Sequence, residues 1–164
     1  MASTSTNKQP LFIDRVLHYV VNLDQSTNDG LDVQGGNTAA LLVDATGSDG
    51  AIIEDIYAIA RPTDPANNAT AAVAHTVNLY ISTARDYLRP NEASFIGSIT
   101  SETTAKSVTH WDDMPRTLAP VPQVNSDKYN NALFLPKGYS LWAAREGSSN
   151  ISGAPLIGCQ GGWY

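Results

Sequence analysis

The chain has 164 residues, 42% hydrophobic and 16% charged, which suits one folded domain large enough to bury a core. Its formal charge is −6 and its ten Lys and Arg form no cluster, which argues against a nucleic-acid surface, since that needs grouped basic residues to displace counterions. No apolar run approaches the roughly twenty residues of a membrane span, and a single cysteine leaves no internal disulfide and no cysteine metal site.

Met1 to Pro10 is a Ser/Thr-rich arm that cannot bury enough to order itself. It has no apolar h-region, so it does not read as a secretory signal, and synthesis in a cytoplasm is expected. Leu11-Phe12-Ile13 follows as an abrupt apolar patch, either a first strand or an anchor for a partner. Arg15 to Asp24 alternates as a strand, with Val16, His18, Val20 and Asn22 opposite Leu17, Tyr19, Val21 and Leu23. Asn28-Asp29-Gly30 turns it, and Ala39 to Asp44 is another short strand.

Ala51 to Ala60 and His75 to Ser82 are β-branched runs separated by Arg61-Pro62-Thr63-Asp64-Pro65-Ala66-Asn67-Asn68-Ala69, which neither a helix nor a central strand tolerates. In the second run Val77, Leu79 and Ile81 share one face, the mark of a sheet with one wet side. In the first, Ile52, Ile56, Ala58 and Ala60 oppose Ile53, Tyr57 and Ile59. That predicts a strand covered on both faces near the middle of a sheet, with the second strand beside it.

Ala84 to Glu92 has room for one helical turn before Pro90, and Ala93 to Thr100 is a strand. Val108 to Pro122 contains three prolines and belongs on a sheet margin or in an extended excursion. Asn130 to Leu135, Pro136-Lys137-Gly138 and Tyr139 to Arg145 read as a hairpin, with Gly138 supplying a positive φ. Ile151 to Tyr164 is a Gly-rich run carrying Leu156, Ile157, Trp163 and Tyr164. About eight strands with no helical period longer than a turn predict an all-β, jelly-roll-like sandwich of two sheets. It comprises residues 14–164 behind an arm of residues 1–13. An immunoglobulin-like sandwich is the alternative.

Chemistry is sparse. His18, His75 and His110 are the only imidazoles, and no two lie at ligand spacing. Trp111-Asp112-Asp113 offers paired carboxylates beside an aromatic, but calcium wants six or more oxygens, and a solvated turn explains the run. No phosphate loop or nucleophile elbow is present. Asn68-Ala69-Thr70 and Asn150-Ile151-Ser152 match the glycosylation sequon by chance if no signal precedes them. Cys159, inside Leu156-Ile157-Gly158-Cys159, reads as a small buried hydrophobe. Exposed aromatics give large contact area at low entropy cost, which makes Trp111, Trp163 and Tyr164 candidates for an interface.

Three segments carry a resemblance: Gly50-Ala51-Ile52-Ile53-Glu54-Asp55-Ile56-Tyr57-Ala58, Thr76-Val77-Asn78-Leu79-Tyr80-Ile81, and Leu135-Pro136-Lys137-Gly138-Tyr139-Ser140-Leu141-Trp142-Ala143-Ala144. Their order resembles that of small all-β virion structural proteins of tailed bacteriophages, the cement or decoration proteins and some tail components, including those of cyanophages. The resemblance implies a non-enzymatic protein with no cofactor that assembles in the virion on the major capsid protein, often as a trimer. It supplies no functional residues. The arm and the Trp111 to Pro122 excursion lie outside or at the margin of the matched pattern and are expected to make the attachment. Phe12, Ile13, Trp111, Met114 and Arg116 are the expected anchors. A tail or baseplate adhesin that binds host glycan, or a metal-dependent jelly-roll enzyme, is the alternative function. No contact with nucleic acid or membrane is expected.

Overall fold

Strands with one apolar face leave water most completely by facing a second sheet. The computed structural model describes residues 15–23, 39–63, 70–86, 88, 92–110, 132–146 and 153–163. Among them are β1 (Arg15–Asn22), β2 (Ala40–Asp44), β3 (Gly50–Ile59), β4 (Thr76–Ser82) and β5 (Ser94–Thr100). The remaining strands are β6 (Val108–His110), β7 (Leu133–Pro136), β8 (Ser140–Arg145) and β9 (Leu156–Trp163). A five-stranded sheet runs β1-β9-β3-β6, with β7 also on β3, and a four-stranded sheet runs β2-β8-β4-β5. Every pairing is antiparallel. First pairs with last, second with next to last, third with β6 and β7, and fourth with fifth. This nesting is the jelly-roll-like sandwich expected, not the immunoglobulin strand order. None of the described residues within 84–92 is helical.

The core lies between the sheets, and Val77, Leu79 and Ile81 enter it as their alternation requires. The blurred pattern of the first β-branched run has a different cause from the one expected. Ile53 pairs with Gly161 and Asp55 with Gln160, so Glu54 is an extra residue bulged out of β3. Ala51 and Ile53 before it, and Ile56 and Ala58 after it, therefore all face the core. The strand has one fully buried face, not two. Leu42 in β2 and Ile96 in β5 are extra residues of the same kind.

Two expected neighbour relations are corrected. β3 and β4 lie in opposite sheets, their apolar faces meeting across the core. The connection between them is long enough to cross over, and it is tied by the Pro62–Ala72 and Ala71–Thr104 bridges. Likewise, β7 and β8 do not form a hairpin: β7 pairs with β3, whereas β8 lies between β2 and β4. Gly138 does take its positive φ of 85°, but the turn is a corner between sheets, pinned where Gly138 N–H donates to the Ala45 carbonyl (3.3 Å). The Gly-rich C-terminal run proves to be β9, paired on both sides by β1 and β3. The N-terminal arm and residues 111–131 of the excursion lie outside the described residues.

Candidate functional site

Beyond the bulge, Asp55, Tyr57 and Ile59 alternate away from the core, and registry fixes what lies beside them. Tyr57 is level with Gly158 of β9 and His110 of β6, while His18 of β1 and Asp55 flank Gln160. The outer face of the five-stranded sheet thereby collects ionisable and aromatic groups from β1, β3 and β6. The Tyr57 ring lies across Gly158, where an added Cβ would come within 2.6 Å of the phenol oxygen. Only a glycine leaves room for that ring to reach β1.

The Tyr57 hydroxyl is 2.9 Å from His18 Nε2. Burial, then the neighbouring Cys159 and Asp55, push the phenol above its ordinary value, so it keeps its proton and shares a hydrogen bond with the imidazole. On the other side, His110 Nδ1 lies 2.9 Å from Asp55 Oδ2, so Nδ1 carries the proton and donates to the carboxylate, while the side chain stays half-exposed. The ring centroids stand 6.5 Å (His18 to Tyr57) and 6.3 Å (Tyr57 to His110) apart. Around this row, Val16 is 78%, Val20 46% and Val108 47% exposed. The arrangement offers a half-exposed strip of rings with apolar flanks. Among the described residues no group of three or more His, Cys, Asp or Glu is placed to hold a metal ion.

Of the residues singled out in the sequence, Phe12, Ile13, Trp111, Met114, Arg116 and Tyr164 lie outside the described residues. Trp163 is 6% exposed in the core cluster, with the Arg15 guanidinium 5.5 Å from its ring centroid, so its surface is used within its own chain. Cys159 is fully buried, and burial pushes its thiol up to about 12, where it is an inert hydrophobe. His18, Tyr57, Asp55 and His110 were not recognisable as a group. Each shows outward parity on its strand, but no local signal says which strands are neighbours.

His75, immediately before β4, is 4% exposed, and its pKa is lowered by burial and then by the charge of Arg145. The folded chain therefore binds this proton more weakly than the unfolded chain does. Stability from His75 is present above the unfolded value of 6.5 and is lost as pH falls from there toward the lower folded value. Chemical denaturation should show the stability gap between wild type and His75→Gln shrinking from pH 7.5 to pH 5, those two pH values being chosen to bracket that window. A gap unchanged between them would contradict the assignment.

Compared with known proteins, the chain matches no family model, no curated protein and no solved structure.

Proposed function

We propose that this protein is a bacteriophage virion structural protein of the cement or decoration type. It binds between subunits of the major capsid protein and acts by contact, without turnover. A protein that binds only the assembled shell stabilises it by mass action, by about 2.7 kcal/mol at a hundredfold excess over Kd. The observation that supports this reading is the outer face of the five-stranded sheet. Val16, Val20 and Val108 are exposed around Tyr57 and two histidines, an aromatic and apolar composition with few charges, as in the centres of protein interfaces. The Val16→Glu/Val108→Glu variant places charge on that face at positions that carry no core packing. Sedimentation with cognate empty shells should show its occupancy reduced about tenfold or more, the equivalent of about 1.4 kcal/mol. Occupancy equal to wild type would sink the reading.

The ring row supports a second reading, a tail or baseplate component whose aromatic strip stacks on host glycan. Copy number decides between them: quantitative gels of purified particles give many copies for a shell protein and few for a tail tip.

A further inference from the structure

Sheet edges expose unpaired backbone donors and acceptors, and folded chains protect them with bulges, shortness, Pro or Lys. Three of the edges here follow that rule. β2 has five residues and carries the Leu42 bulge, β5 carries the Ile96 bulge, and β6 has three residues. β1 does not. It runs eight residues in unbroken register with β9, without Pro, Lys or bulge, and no described strand lies on its other side. Its sequence, Arg15-Val16-Leu17-His18-Tyr19-Val20-Val21-Asn22, is dominated by β-formers, and Val16, Tyr19 and Val20 are among the most exposed large apolar residues of the fold.

We infer that the outer edge of β1, which no described strand pairs, pairs antiparallel with β1 of a second copy, joining two five-stranded sheets across a two-fold axis. The occupant is argued from self-complementarity. A two-fold axis perpendicular to the sheet keeps each core face on the same side, so paired residues must share a face. Central registers then place His18 opposite His18, or Tyr19 opposite Tyr19. The first puts Val16 opposite Val20 and Arg15 opposite Val21. The second puts Leu17 opposite Val21 and Arg15 opposite Leu23. In both, Arg15, the sole Lys, Arg, Asp or Glu of β1, meets an apolar residue and no like charge. Each copy would satisfy the other's backbone, as in strand addition. A two-fold contact closes on itself, giving a dimer where the resemblance implies a trimer, and it does not depend on a role in a capsid.

The test uses the full chain in solution without shells. Light scattering should give a mass twice 17.5 kDa for wild type, and the Val16→Lys/Tyr19→Lys/Val20→Lys variant, altered only at exposed side chains, should be monomeric. Amide exchange of β1 should be slowed about tenfold or more in concentrated over dilute wild type, the protection alternating along the strand. Three results would overturn the inference: a monomeric wild type, a multimer that survives the three lysines, or β1 protection independent of concentration, which would mean that the chain covers its own edge. Circular dichroism confirms that the variant is folded.

Discussion

Deleting Asn78 from β4 is expected to abolish folding, whereas deleting Glu54 from the more central β3 is expected to leave a folded protein. β4 is regular along β8 from Val77 to Ser82, so removing one residue turns every side chain on one side of the deletion to the opposite face. Leu79 and Ile81, fully and almost fully buried, would enter water at about 1.5–3 kcal/mol each. Tyr80 and Ser82 would take their places, each polar group costing about 1–3 kcal/mol if left without a partner. Together these reach the roughly 5–15 kcal/mol that holds a whole domain. Glu54 is different because it is the surplus residue of a bulge. Without it, Ile53 opposite Gly161 and Asp55 opposite Gln160 become consecutive pairs in a regular ladder, and Ile56 and Ala58 still face the core. What is lost is the local bend, an expected cost below about 2 kcal/mol. Urea denaturation followed by circular dichroism measures both variants. A folded Asn78 deletion, or an unfolded Glu54 deletion, would refute the assigned register.

Gly161→Ala should be among the most damaging single substitutions, at about 4 kcal/mol or more, whereas Gly158→Ala should cost only about 1 kcal/mol. Both glycines lie in β9 against β3, and both lack space for a Cβ. The difference is what occupies the space. At Gly161 it is backbone: the Ile52 carbonyl oxygen and, at 2.9 Å, the Ile53 Cα, held in place by pairing with β7 on one side and β9 on the other. At Gly158 it is the Tyr57 ring, which can swing outward at the cost of its hydrogen bond to His18. Thermal or urea melts of the two variants give the comparison directly. Equal losses would mean that Tyr57 is as immobile as the β3 backbone.

The row on the outer face shows why function was harder to read than fold. Val77, Leu79 and Ile81 announce a strand because the signal is periodic and local. His18, Tyr57 and His110 are distant in the chain, and they meet only because β9 enters between β1 and β3 with a glycine where the tyrosine needs to cross. The Pro136-Lys137-Gly138 turn misled for a related reason. Turn chemistry specifies that the chain reverses there, and Gly138 obeys, but whether the reversal pairs two strands or passes from one sheet to the other depends on which partners remain open.

Composition and period-two alternation by themselves determined that this chain is all-β, built of short strands around a sandwich core, because burial of alternate side chains is a property of each strand alone. Pairing, bulges and the contents of the outer face were decided only by the tertiary structure. A hydrogen-bonded ladder recognises backbone and not side chains, so sequence leaves several partners nearly equivalent until the packed core admits one of them.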